Sequence, residues 1–237
     1  MSLETIQGSL IQMASTILNR LGLPAPSNLS PGIDLTRYSP CNHVVIVHLD
    51  NFGLLEVAMH KPQFLLKESK TMLALETTNG YAANVTKELI YGNLEEPFNL
   101  FSFIVQQGKT AVVVDREEQR STAGTATFTP ADTDMRVYIE TAKLLNRSDL
   151  LLIHFLDYDK LLQQHSTRPP LELAQKLLHR TDRWLLGFYK QAVPHTLFLV
   201  LGNKGQRDYG IKYEDKYEQW AKANLPICLV IYKGSEG

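Results

Sequence analysis

The stretch VVIVHLDNFG, residues 44–53, decides the fold class of this sequence. Its apolar residues run without the alternation of a half-exposed strand, so we expect a strand that is buried on both faces. Similar apolar runs recur along the chain, and segments with helical periodicity lie between them. This order predicts an α/β fold with a mostly parallel central sheet and helices on both of its faces. The predicted strands are 43–49, 71–75, 110–114, 150–155, 196–201 and 227–232.

The rest of the chain is assigned from its periodicity and turn residues. Apolar residues at helical spacing between Leu3 and Leu21 predict an N-terminal helix, which packs on the core together with the loop that follows it up to residue 40. The polar segment 116–132 predicts a long surface loop. No change in composition divides the sequence, so residues 1–237 are predicted to form a single domain. Further helices are predicted at 54–67, 81–90, 100–107, 133–145, 171–191 and 212–223.

Composition excludes several classes of function. The formal net charge is -1 and the pI is about 6.7, which gives no electrostatic basis for binding nucleic acid or a membrane surface. The loop after the first strand lacks the glycine-rich fingerprint of a nucleotide-binding oxidoreductase. Cys41 and Cys228 have no ligand spacing and fit a reducing compartment. With no signal-peptide-like or membrane-spanning apolar stretch, the sequence predicts a cytoplasmic protein.

Polar residues follow several of the predicted strands. In parallel sheets ligands bind beyond the carboxyl ends of the strands, so we expect these side chains to meet at one edge. Each also has an ordinary structural interpretation: a turn residue, a helix N-cap, a solvated carboxylate or an exposed histidine. The residues are Asp50 after the first strand, Thr77 and Thr78 after the second, Asp157, Asp159 and His165 after the fourth, and Asn203 and Lys204 after the fifth.

The ordered set of these segments resembles the alkaline phosphatase superfamily, in the style of its phosphoglycerate-mutase-like and phosphodiesterase-like members. VVIVHLDNFG is similar to the first strand, whose aspartate binds metal, and residues 77–93 resemble the segment that carries the Thr or Ser nucleophile. Residues 149–165 resemble the strand that leads to a second metal-binding aspartate and a nearby histidine. Residues 196–205 are similar to the segment that normally ends in Asp-His-Gly. Segments 101–115 and 225–234 resemble the helix-Gly-Lys-strand unit and the final core strand.

The resemblance implies a fold, a nucleophile and a metal site. It implies an alkaline-phosphatase-like core, Thr78 or Thr77 as the nucleophile, and a divalent ion such as zinc or manganese. The ligands that it implies are Asp50, Asp157, Asp159 and His165. The sequence departs from the family where Asn203 and Lys204 replace the Asp-His pair, and no histidine follows Gly205. The remaining ligands are too few for a good two-metal site, so a divergent member with an incomplete site is expected.

Two functions are compatible with this pattern. The favoured one is a catalytically degenerate domain that acts in binding or regulation, with an unknown protein partner or a small anionic ligand, and with or without metal. In this hypothesis Lys204 lies between Asp50 and Asp157 and neutralises both carboxylates. The alternative is a metal-dependent phosphohydrolase or phosphotransferase acting on phosphoric or sulfuric esters. There Thr78 or Thr77 would attack, one divalent ion would bind, and Lys204 would stabilise the transferring group.

Overall fold

A computed structural model describes residues 3–77, 82–92, 98–165, 169–202 and 226–235. The strands in these ranges are β1 (Glu4–Ser9), β2 (His43–Leu49), β3 (Thr71–Glu76), β4 (Ala111–Asp115), β5 (Thr127–Pro130), β6 (Leu150–Phe155), β7 (Thr196–Gly202) and β8 (Ile227–Lys233). The α-helices are α1 (Met13–Arg20), α2 (Leu54–His60), α3 (Gln63–Glu68), α4 (Ala82–Tyr91), α5 (Leu100–Gln106), α6 (Asp134–Leu144), α7 (Asp157–Gln164) and α8 (Leu171–Gln191). Short 3-10 helices cover Leu10–Gln12 and Glu117–Ala123.

The eight strands form one sheet in the order β1-β3-β8-β7-β2-β6-β4-β5. Strand β8 runs antiparallel to both of its neighbours, β3 and β7. The other pairs are parallel. The carboxyl ends of β2, β4, β6 and β7 therefore lie along one edge of the sheet.

Helices cover both faces of the sheet, and each face has its own apolar core. Helices α1, α4 and α5 pack on one face, and helices α2, α3, α6, α7 and α8 pack on the other. In β2, Val44 and Ile46 belong to the first core, whereas Val45 and Val47 belong to the second. The unbroken apolar run of β2 is thus buried on both sides, and the predicted α/β architecture is confirmed.

The N-terminal segment differs from its prediction. Residues Glu4–Ser9 form β1, which pairs in parallel with β3, and the helix begins only at Met13. The β-branched Thr5 and Ile6 and the flexible Gly8 favour an extended chain over a helix. Ser9 then marks the change, because its backbone N–H donates to Gln12 Oε1 at 2.9 Å. Local apolar spacing alone could not show that β3 offers a free edge to this segment.

Three further assignments change within the described residues. The predicted loop 116–132 contains a 3-10 helix and β5, an edge strand whose exposed, polar sequence hid its pairing with β4. The predicted helix 54–67 is divided, because Lys61 adopts a left-handed φ of 47° and Pro62 follows it. Helix α7 occupies the segment after β6, for which no helix was predicted. The predicted helix 212–223 lies outside the described residues.

Gly202, the last residue of β7, makes a close approach that only glycine allows. A Cβ on Gly202 would overlap the backbone carbonyl of Phe52, in the turn after β2. We therefore expect Gly202→Ala to lower the free energy of unfolding by about 1–3 kcal/mol, as overpacking typically does. Gly187→Ala, within helix α8, is the matched control, since a Cβ there would approach Tyr138 Oη at 3.9 Å, an ordinary van der Waals distance. That substitution should raise stability by roughly 0.5–1 kcal/mol. Urea unfolding measures both, and equal signs would contradict this packing.

Candidate functional site

Two histidines lie side by side in the centre of the sheet. Strands β2 and β6 pair in parallel with His48 directly opposite His154. Their rings stack with centroids 4.2 Å apart and an interplanar angle of 11°. His48 continues the row of Val44 and Ile46 on the face that α1, α4 and α5 cover, and both histidines are buried. The register of two parallel strands thus creates a polar pair inside an otherwise apolar layer.

Two carboxylates flank His154. Its Nδ1 lies 3.0 Å from both carboxylate oxygens of Asp115, the last residue of β4. Its Nε2 lies 3.2 Å from Asp50 Oδ2, directly after β2. Asp50 and Asp115 are themselves 5% and 3% exposed, so water does little to screen these charges. Three neighbouring strands therefore deliver one buried cluster, which we call the histidine cluster: His48, Asp50, Asp115 and His154.

The two histidines carry different charges. Burial disfavours a charged His154, but the carboxylates of Asp50 and Asp115 outweigh it and raise the pKa of His154 to about 10. Burial, together with the positive charge of His154, lowers the pKa of His48 to about 3. At neutral pH, His154 is an imidazolium between two carboxylates, and His48 is a neutral imidazole stacked against it.

Three members of the cluster are arranged as possible metal ligands. His48, Asp50 and His154 each offer one ligand atom, and these atoms lie within 4.8 Å of one another. Neither ring nitrogen of His48 makes a hydrogen bond within the described part of the chain. The nearest carboxylate oxygen, Asp50 Oδ1, is 3.9 Å from His48 Nε2. Asp50 was predicted from the sequence, whereas His48, His154 and Asp115 were not. The available signal was His48 in one apolar strand and His154 in another.

Asp157 belongs to a different ion-pair network. Arg180, in α8, donates from Nη2 to Asp157 Oδ2 at 2.8 Å and to Asp134 Oδ2 at 3.0 Å. Asp134 Oδ1 accepts from the backbone N–H groups of Leu156 (2.7 Å) and Asp157 (3.1 Å) and so caps α7. Burial raises the pKa of Asp134, more than these hydrogen bonds lower it. Both carboxylates of this network are thus held by Arg180 in the layer of α6, α7 and α8.

The other predicted site residues have surroundings of their own. Asp159 accepts hydrogen bonds from Asn51 Nδ2 and, at 2.7 Å, from Gln163 Nε2. His165 is exposed just after the end of α7. The Thr77 hydroxyl follows β3 and donates to Glu88 Oε1 at 2.9 Å. Thr78, Asn203 and Lys204 lie outside the described residues.

The ligands that the resemblance implied have different surroundings in this structure. Among the described residues, Asp50 is the one implied ligand in the group of three potential ligand atoms. Asp157 is bonded to a guanidinium, and His165 lies eight residues further on, roughly 12 Å along the helix at 1.5 Å per residue. The implied ligand set as a whole stays a prediction.

Comparison with known proteins bears on the fold. No family model and no curated protein matches the chain. A protein of the alkaline phosphatase superfamily from Vibrio parahaemolyticus matches with a TM-score of 0.54 at 14% identity, over 94% of this chain and 67% of that one. The chain has the alkaline phosphatase superfamily fold. The C-terminal periplasmic domain of EptC from Escherichia coli matches with a TM-score of 0.58 at 12% identity, over 90% and 77%. Murine ectonucleotide pyrophosphatase / phosphodiesterase 5 matches with a TM-score of 0.53 at 12% identity, over 74% and 62%.

The same comparison corrects the predicted location. The matched EptC domain is periplasmic and the murine protein is an ectonucleotide pyrophosphatase, and both point away from a cytoplasmic location. The cytoplasmic assignment is therefore wrong. Separately, none of the described helices is long and apolar enough to cross a membrane.

Arg180 should be important for stability, because it pairs with two carboxylates at once. Arg180→Met keeps most of the apolar stem over Trp184 but leaves Asp134, whose side chain is 3% exposed, beside Asp157 without a cation. We expect a loss of roughly 2 kcal/mol in the free energy of unfolding, between the values for exposed and buried pairs, since the Arg180 side chain is 31% exposed.

Arg183→Met provides the control for this measurement. Arg183 is exposed on the same helix and makes no ion pair with a described residue. Its substitution should change stability by less than about 0.5 kcal/mol in denaturant unfolding. Equal effects of the two substitutions would show that the network does not stabilise the fold.

Proposed function

We propose that this chain is a catalytically degenerate domain of the alkaline phosphatase fold that acts by binding. The observation that supports this most directly is the Arg180–Asp157 ion pair at 2.8 Å. In the resemblance, Asp157 stands at the second metal-binding aspartate. A guanidinium now neutralises this carboxylate in place of a metal ion.

Recruiting Asp157 to a metal would disturb more than one contact. Arg180 also holds Asp134, and the Asp134 carboxylate in turn caps the first turn of α7. A divalent ion at Asp157 would lie next to the positive charge of Arg180, and displacing Arg180 would leave the buried Asp134 without its cation. The described structure thus opposes metal at this position electrostatically, which supports a domain without the family's phosphoryl-transfer chemistry.

The location of Thr77 supports the same proposal, because it does not suit a nucleophile. Strand β3 is separated from β2 by three strand spacings, which is roughly 14 Å at about 4.8 Å per strand. Thr77 directly follows β3, and its hydroxyl already donates to Glu88. A metal-activated nucleophile must contact the ion it depends on. Thr77 therefore serves better as a tie between β3 and α4 than as a nucleophile for a metal at Asp50.

The ligand of such a domain is a protein partner or a small anionic molecule, and its role is binding or regulation. From the sequence, the anion is predicted to bind Lys204 and the helix start at Thr78, because a helix N-terminus offers free N–H donors and a partial positive charge. These two contacts stay predictions.

The alternative function is a metal-dependent phosphohydrolase or phosphotransferase. One observation favours it: His48, Asp50 and His154 form a possible metal group at the edge where Asp50 resembles a metal-binding aspartate of the family. In that case Thr78 would be the nucleophile, and a single ion would polarise the ester.

Turnover of phosphate and sulfate esters separates the two functions. The assay uses p-nitrophenyl phosphate, bis-p-nitrophenyl phosphate and p-nitrophenyl sulfate, with zinc or manganese added. We expect the wild-type protein and its Thr78→Ala variant to give the same background rate. Hydrolysis that Thr78→Ala abolishes and Thr77→Ala preserves would establish the enzyme and overturn the proposal. Asp157→Asn is included because activity that depends on it would show that the Arg180 ion pair opens.

A further inference from the structure

We propose that His48, Asp50 and His154 bind one zinc-class transition metal ion, and that Asp115 is the positioning residue that orients His154. This site is distinct from the ligand set implied by the family resemblance, with which it shares only Asp50. It does not rest on the proposed function, because a domain without turnover can hold a structural metal ion.

Asp115 gives His154 the arrangement of a metal-binding histidine. Such a histidine usually donates its second ring N–H to a carboxylate, which fixes the tautomer and aims the other nitrogen at the ion. Both oxygens of Asp115 lie 3.0 Å from His154 Nδ1. The remaining nitrogen, Nε2, is directed toward Asp50 Oδ2 at 3.2 Å and makes no other hydrogen bond with a described residue.

His48 is the second, independent observation. Its side chain is 1% exposed, and both of its ring nitrogens lack hydrogen-bond partners among the described residues. A buried polar group left unsatisfied is costly, so native structures seldom keep one without a reason. His48 faces Asp50 and stacks on His154, which places an unused imidazole beside two other possible ligands.

The three ligand atoms, which lie within 4.8 Å of one another, must move closer together to hold an ion. Two ligand atoms in tetrahedral zinc coordination, each about 2.0–2.1 Å from the ion, are roughly 3.3 Å apart. The His154 Nε2–Asp50 Oδ2 distance is 3.2 Å, and the His48 Nε2–Asp50 Oδ1 distance is 3.9 Å. Turning the His48 ring out of its stack toward Asp50 closes the second gap.

The ligand chemistry selects the class of ion. Two imidazoles and one carboxylate suit zinc and its first-row neighbours, whereas calcium and magnesium prefer sites made of oxygen atoms. The ion would bind His154 Nε2 on the side of Asp50, while Asp115 stays bonded to Nδ1. Three protein ligands leave a fourth position for water or another group.

Zinc titration of chelator-treated protein tests the site without any substrate. Calorimetry should give one zinc per chain for the wild type, and thermal unfolding should shift upward as zinc stabilises the folded state. His48→Leu should lose both effects. The variant is expected to fold, because Leu201 of β7 is already the register neighbour of His48. Asp115→Asn keeps all three ligands and should weaken zinc binding about 10–100-fold.

Two controls assign the ion to this cluster. His43→Ala removes another histidine of β2, one whose Nδ1 is bonded to the Ser148 carbonyl at 2.8 Å, and should leave zinc binding unchanged. Asp157→Asn should also retain the ion. Folded wild-type protein that binds no zinc, or zinc retained by His48→Leu, would overturn the proposal. Zinc lost in Asp157→Asn but kept in His48→Leu would do the same and assign the ion to a family-type site. Because no ester is present, this result is independent of the turnover assay.

Discussion

The position of His154 between Asp50 and Asp115 is the interaction on which the centre of this molecule depends. The two carboxylates lie at the ends of β2 and β4, on either side of β6, and are almost fully buried. They would repel each other without a cation between them. The imidazolium can serve both only because β2, β6 and β4 are adjacent and parallel. The pairing of these strands therefore also determines how the charges of the cluster are balanced.

The strand positions could be predicted from sequence because burial on both faces produces a local signal. Unbroken apolar runs marked β2 and β6 at the same bounds that the structure gives. Strands β1 and β5 gave no such signal, since both lie at sheet edges and contain many polar residues. Their existence depends on a partner strand far away in the sequence, and helical spacing in the first 21 residues pointed to the wrong structure.

The site was only partly predictable, for a similar reason. Asp50 was found because it stands beyond a strand end, where polar residues of parallel sheets are expected to act. His48 and His154 lie inside their strands, and their meeting depends on a register between distant segments that local pattern does not show. The resemblance led to Asp157 instead. Its pairing with Arg180 depends on how α8 packs against α7, which is equally invisible in the sequence.

The carboxylates at Asp50 and Asp157 have been neutralised separately. From the sequence, a single cation, Lys204, was predicted to neutralise both carboxylates. In the described structure His154 serves Asp50 and Arg180 serves Asp157, from different secondary-structure elements. Buried pairs of this kind are tolerated when hydrogen bonds satisfy the remaining lone pairs, as they do at Asp134 and Asp115.

The place of β8 in the sheet has a consequence for how the chain is made. This strand is the last of the described elements, yet it lies between β3 and β7 and is the link that joins the β1–β3 pair to the other strands. While the chain emerges from the ribosome, the sheet exists as two unconnected pieces, each with an open edge. Those edges can pair with other chains until residues 227–233 arrive. A nascent or shortened chain without β8 is thus exposed to aggregation at the middle of its own sheet.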